Sequence, residues 1–136
     1  MIRVVKGLLS AFALCLLAAC GADARLGTIA LAAHVDAQGR PSPAATVFTR
    51  GDVVFASVEL QDTYKELEVN ATWLRGTDVV HAEKQSVPRD AGTMDPVVLV
   101  FKLETKADWT PGDYRFDVFV PDQGTTRRDF RLEASR

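Results

Sequence analysis

Between Leu67 and Arg75 apolar and polar residues alternate: Leu67, Val69, Ala71 and Trp73 against Glu68, Asn70 and Thr72. A period of two is the signature of a strand, because successive side chains leave opposite faces of the pleat. A helix would scatter the same apolar set around its circumference. A strand with one oily face buries nothing alone. It needs neighbours beside it and a second layer opposite Trp73. This stretch therefore commits the chain to at least one sheet packed on another apolar surface.

Six further β-type runs flank it, separated by turn residues. The first covers about 26–35, before Asp36-Ala37-Gln38-Gly39-Arg40 and a loop holding Pro41 and Pro43. The second, about 53–61, follows Gly51-Asp52 and puts Val54, Ala56, Val58 and Leu60 on one face. After Gly76-Thr77 comes a run at about 78–87, then a loop from Pro88 to Pro96. The run at about 97–105 aligns Val97, Leu99, Phe101 and Leu103, and the apolar Val98 and Val100 predict partial cover on its second face. Trp109-Thr110-Pro111-Gly112 forms a corner before Tyr114, Phe116, Val118 and Val120, and a last run at about 126–133 buries Phe130 and Leu132. No helical period of useful length interrupts residues 26–136. Seven short strands predict an all-β sandwich or barrel of antiparallel strands.

The N-terminus has a different character. Arg3 and Lys6 precede Gly7–Ala19, which is apolar apart from Ser10. That run is shorter than the roughly 20 residues needed to cross a bilayer and matches the hydrophobic region of a cleaved export signal. It ends in Leu17-Ala18-Ala19-Cys20-Gly21, which resembles the lipobox of bacterial lipoproteins. The resemblance implies that residues 1–19 are removed, that Cys20 becomes the first mature residue, and that its sulfur is lipidated. Residues 20–25 are then a tether and 26–136 the domain. A buried methylene contributes about 0.8 kcal/mol and a single acyl chain anchors only marginally, so the two or three chains of a lipoprotein anchor stably. In a diderm envelope, a residue other than Asp after the Cys directs such proteins to the outer membrane. Gly21 then implies its periplasmic face.

Two positions give the sandwich an immunoglobulin-like cast. Trp73 lies on the third run, where that fold keeps a buried Trp, and Tyr114 follows a Pro-Gly corner, where it keeps a corner Tyr. Antibody domains carry a Cys two residues after that Tyr, and here the position is Phe116. Over residues 28–133 the chain resembles a loose, functionally uncharacterised group of bacterial lipoproteins with a single immunoglobulin-like domain. The matching residues are Phe48, Asp52, Val54, Ser57, Val58, Trp73, Trp109, Pro111, Gly112, Tyr114 and Phe130. These are core and corner positions, so the resemblance implies a fold and carries no functional residue.

Chemistry is sparse. His34 and His81 are the two histidines, and neither has a second His or a Cys at metal-ligand spacing. His81-Ala82-Glu83 lacks the Pro-Cys-x-x-Cys of zinc deaminases, and on a strand the two side chains only share a face. Ser42, Ser57, Ser86 and Ser135 have no base beside them, and Asp90 and Asp95 read as solvated loop acids. Asn70-Ala71-Thr72 is a glycosylation sequon by coincidence in a bacterial export context. Arg127-Arg128 reads as a charged pair that blunts a sheet edge. Trp73 and Trp109 could form an aromatic platform for a glycan, but both are assigned to packing: Trp73 in the apolar face, Trp109 beside Tyr114. No catalytic residue, metal or cofactor is expected.

Net charge is −2, and removing residues 1–19 takes away two bases and no acid, leaving −4. An acidic chain without a basic stripe gives no reason to expect nucleic acid as a partner. The expected role is a lipid-anchored, non-enzymatic binding or structural module of the bacterial cell envelope, attached to the membrane through Cys20 and meeting an envelope protein. The alternative is an inhibitor or accessory subunit that inserts a loop, 36–47 or 88–96, into an envelope enzyme or transporter. A third class, an enzyme or metal sensor, would need His34 or His81 near carboxylates. Alternating strand directions predict loops 62–66, 88–96 and 121–125 at the tethered end. Loops 36–52, 76–77 and 106–111 fall at the far end, where a soluble partner is expected.

Cys15 leaves with the signal and Cys20 is modified, so no disulfide pair remains. The mature chain is therefore expected to melt at the same temperature with and without a thiol reductant. A scanning calorimetry trace that shifts on reduction would contradict this.

Overall fold

The computed structural model describes residues 24–63, 65–88 and 96–135. Eight strands run through them: β1 (Arg25–Ala32), β2 (Val47–Thr49), β3 (Val53–Gln61), β4 (Leu67–Arg75), β5 (Asp78–Val87), β6 (Val97–Glu104), β7 (Gly112–Val120) and β8 (Gly124–Glu133). All seven predicted runs are strands. The eighth, β2, was not foreseen, and the first run stops at Ala32 rather than residue 35. Among the described residues no helix forms. The predicted segments 1–19 and 20–23, with Cys20, lie outside the described residues.

The strands form two sheets, β1-β3-β6 and β2-β8-β7-β4-β5. Every pairing is antiparallel except β2 with β8. The chain changes sheet between β1 and β2. Ala45 N–H bonds to the Leu31 carbonyl at 2.8 Å, and the Thr46 carbonyl then accepts Arg131 N–H at 2.8 Å. Val47-Phe48-Thr49 completes the switch by lying along Arg131–Glu133. A three-residue strand between prolines and Gly51 has too few positions to show a period, so only its partner reveals it.

The inner faces close over aromatic rings. Trp73 is fully buried and packs on Phe116, its register partner on β7, with ring centroids 4.6 Å apart. Phe130 meets Trp73 edge-on at 5.9 Å, and Phe101 approaches Phe116 from the other sheet at 5.9 Å. Phe116 thus fills with a ring the place where antibody domains put a disulfide sulfur. Trp73 Nε1 is buried without a hydrogen-bond partner. Leaving such a donor unsatisfied costs about 1–3 kcal/mol. The area the indole buries offsets that cost, since aromatic side chains dominate core energetics.

The smaller sheet is covered on its outer face too. The turn Asp36–Arg40 is closed by the Asp36 carboxylate, which accepts the N–H groups of Gln38 and Arg40 at 2.9 Å each. It folds back so that Arg40 reaches Glu59 at 3.2 Å. Gly39 rests on Val98 and Val100 at φ 80°, where an added Cβ would come within 2.7 Å of Val100. The apolar second face of β6 has its cover, as its sequence predicted. The loop supplying it lies along the sheet instead of projecting from the far end.

Residues 36–41 thus leave the far end predicted for them, and residues 89–95 of the loop 88–96 lie outside the described residues; the other loops sort as alternation requires. Arg25 pairs with Asp62 at 2.7 Å, tying the start of β1 to the loop after β3. Ala24, Asp62, Lys65 to Glu68, Pro121 and Asp122 surround one depression at that end. At the opposite end Arg75 bonds Thr110 at 3.1 Å and Gly51 N–H bonds Thr105 Oγ1 at 2.8 Å. Truncating Trp73→Ala is expected to cost about 3–5 kcal/mol. Equilibrium unfolding in urea measures this, and a loss under about 1 kcal/mol, the size of an ordinary exposed change, would put the ring outside the core.

Candidate functional site

Pro111 presets φ and Gly112 adopts φ 138°, a conformation that side chains rarely tolerate. The chain turns sharply there into β7. Tyr114 Oη donates back to the Thr110 carbonyl at 2.6 Å. Trp109 stacks on the Tyr114 ring, centroids 6.1 Å apart and planes 10° from parallel. Arg50 Nη1 holds the Trp109 carbonyl at 3.3 Å. Trp109 is thus mounted beside Tyr114 as predicted, but it remains only half-buried.

A second construction meets this corner. On β5, Gln85, Glu83 and His81 stand opposite Val69, Ala71 and Trp73, so they share the inward face of the larger sheet. They sit at its edge, across a seam from β6 of the smaller sheet. There the backbone of β6 has no further strand. Side chains replace it: Gln85 Nε2 donates to the Val100 carbonyl at 2.7 Å, and Glu83 Oε1 accepts the Lys102 N–H at 3.1 Å. The opposite seam is closed similarly, with Arg128 Nε donating to the Ile29 carbonyl at 3.3 Å.

The β5–β6 seam does not stay closed. Trp73 pairs with His81 but Leu74 pairs with Val79, leaving Val80 as an extra residue in β5. Such a bulge bends its strand and increases the local twist. Next to it, from Glu83 to Val80, the seam opens into a groove of about 470 Å³ lined by Val80, His81, Glu83, Lys102–Glu104, Lys106 and Trp109. The groove brings together His81, Glu83 and Trp109, which the sequence had raised separately. It lies toward the far end, beside the Thr110 corner.

The other candidates are scattered. His34 is exposed in the loop after β1, on the other sheet's side of the chain. Ser57 is buried on β3, and Ser135 Oγ exchanges hydrogen bonds with Arg50. Asn70 is exposed on the outer face of β4. Asp90 and Asp95 lie outside the described residues. Among the described residues, no three His, Cys, Asp or Glu side chains gather as metal ligands. Arg127 and Arg128 lie on β8 ahead of the short stretch that β2 covers, so they do stand at a sheet edge. Arg127 pairs with Asp117 at 3.5 Å while Arg128 spans the seam. Asp117 also meets Arg115 at 3.4 Å, and Arg131 meets Asp113 at 3.5 Å. These charges compensate one another within β7 and between β7 and β8.

Sequence reasoning missed the seam and its groove. The one signal was that the run 78–87 lacks an oily face: Gln85, Glu83 and His81 stand where inward apolar residues belong. Polar residues on the inward side of an edge strand mark a face that looks at another strand's backbone.

No family model matches the chain. No curated protein matches it either. Among solved structures it is similar to an immunoglobulin-like protein from Pseudomonas aeruginosa, with TM-score 0.55 and 13% identity over 84% of this chain and 99% of that one. The fold is an immunoglobulin-like sandwich. A CARDB domain from Pyrococcus furiosus, solved in complex with di-metal ions, superposes with TM-score 0.51 at 12% identity, over 82% of this chain and 96% of that one. An alkylpurine DNA glycosylase from Pseudomonas fluorescens matches at TM-score 0.53 and 18% identity over 84% of this chain, which spans only 31% of the glycosylase. At these identities the likeness concerns fold alone. Relative to the constant-type immunoglobulin arrangement, the fifth strand here stays with β4 in the larger sheet instead of crossing to the smaller one.

Replacing Tyr114→Phe removes the hydroxyl that ties the corner and is expected to cost about 1 kcal/mol. A chemical denaturation midpoint reports the loss. An unchanged midpoint would remove the Thr110 bond from the forces that set Trp109.

Proposed function

We propose that this chain is a lipid-anchored, non-enzymatic binding module of a bacterial cell envelope, held through Cys20 at the periplasmic face of the outer membrane. The observation that carries the reading is positional. Arg25 begins β1 at the end of the sandwich opposite the Trp109 corner. Cys20 precedes it by five residues, a reach of at most about 17 Å for extended chain. A lipid on Cys20 would hold the loops around Asp62 and Asp122 against the headgroups. The nine residues of β4 rise about 30 Å, so the groove beside Trp109 would face the periplasm well clear of the bilayer.

An immunoglobulin-like protein and a CARDB domain, of which this chain covers 99% and 96%, support reading it as a module. An inhibitor that inserts a loop gains nothing from residues 36–41, which are folded onto the small sheet by Arg40, Gly39 and the Asp36 turn. Residues 89–95 of the other candidate loop lie outside the described residues, and binding through a surface of the sandwich is the role that the described residues support.

The test is expression of the full chain and its Cys20→Ser variant in a diderm bacterium fed radiolabelled palmitate. The wild-type chain is expected to take up label and sediment with the outer membrane. The variant is expected to lose all label. Unlabelled wild-type protein, or label persisting on the variant, would end the anchored reading, and wild-type protein confined to inner-membrane fractions would reject its placement.

A further inference from the structure

We infer that the groove between β5 and β6 takes up an extended peptide segment of a partner protein, which adds as a short strand to the free edge of β6. In an antiparallel ladder both main-chain groups of one residue point to the same side. Lys102 N–H points away from β3, toward Glu83. Its carbonyl therefore points the same way, and so do the N–H and carbonyl of Glu104, two residues on. Where β5 lies close, Gln85 and Glu83 satisfy this row of groups in place of a strand. Between Glu83 and the Val80 bulge the seam widens, and the row continues along the groove at Lys102 and Glu104. Only another extended backbone repeats donors and acceptors at that spacing, which is how strand addition to a sheet edge gains affinity.

The walls define the side chains such a segment would carry. Trp109, fixed by its stack on Tyr114, and Val80 offer apolar surface to one residue of the strand. Lys102 is already paired with Glu104 at 3.2 Å, and the Glu83 carboxylate is engaged by the Lys102 amide. Lys106 is exposed and makes no ion pair among the described residues. It calls for an acidic residue. The partner's segment is thus an extended stretch with an apolar or aromatic residue near an Asp or Glu. This deepens the binding role proposed above but not its anchor: palmitate labelling tests the anchor, and peptide binding tests the groove, so each can fail alone.

The experiment is selection of a displayed random peptide library on the full chain in detergent micelles, followed by titration of a selected synthetic peptide. The expected peptides are apolar-acidic. Methylating their backbone nitrogens one at a time should weaken binding about tenfold or more at alternate positions only, the signature of one edge of a strand. On the protein, hydrogen exchange at the Glu104 amide should slow when peptide is bound. Trp109→Ala should lose binding, while Phe119→Ser, on the exposed outer face of β7, should leave it unchanged. A library that yields no binder, N-methylation tolerated at every position, or affinity indifferent to Trp109→Ala would overturn the inference. The methylation series uses the unaltered protein, so a variant that fails to fold cannot decide the matter.

Discussion

Everything in this domain depends on two sheets closing over Trp73 without a covalent staple. An exported sandwich commonly pins its sheets together with a disulfide between them. Here rings hold the sheets together: Phe101 of the smaller sheet meets Phe116 of the larger at 5.9 Å, and Trp73 and Phe130 pack beside Phe116 within the larger sheet. Packing of this kind tolerates little variation in spacing, because interiors are as dense as organic crystals and each lost methylene is felt. It also spares the fold any dependence on the redox state of its compartment.

A sandwich has a cost that a closed barrel avoids. Each sheet ends in edge strands whose backbone groups need partners. This protein meets the need with side chains across the seams: Arg128 on one side, Gln85 and Glu83 on the other. The arrangement works only where the sheets run close. The extra residue at Val80 falls where the groove between β5 and β6 opens beside the Trp109 corner. Where the seam is not closed in this way, the free edge of β6 borders the groove, and that edge is the basis of the proposed strand addition.

The seven long strands were legible because each carries several alternations, and a buried face penalises any slip of register. Tyr114 and Trp73 were legible as corner and core because Pro111-Gly112 and the unbroken alternation around Trp73 leave few other placements. The groove was not. His81, Glu83 and Trp109 are distant in the chain, and each has an unremarkable explanation alone. Val80 looks like any strand valine until its partner strand shows that it has no opposite number.

Side-chain alternation and turn chemistry are local properties, so the chain alone settled the all-β class, the approximate course of the seven long strands and the residues that fill the core, while β7 and β8 begin two residues earlier than read, at Gly112 and Gly124. The lipobox resemblance at Cys20 is likewise a local pattern. Which strands share a sheet, where β1 hands over to β2, and how residues 36–41 fold back over Val98 and Val100 depend on contacts between segments remote in sequence. Those contacts are chosen by the competition of whole faces for burial, and no short window of sequence contains that competition.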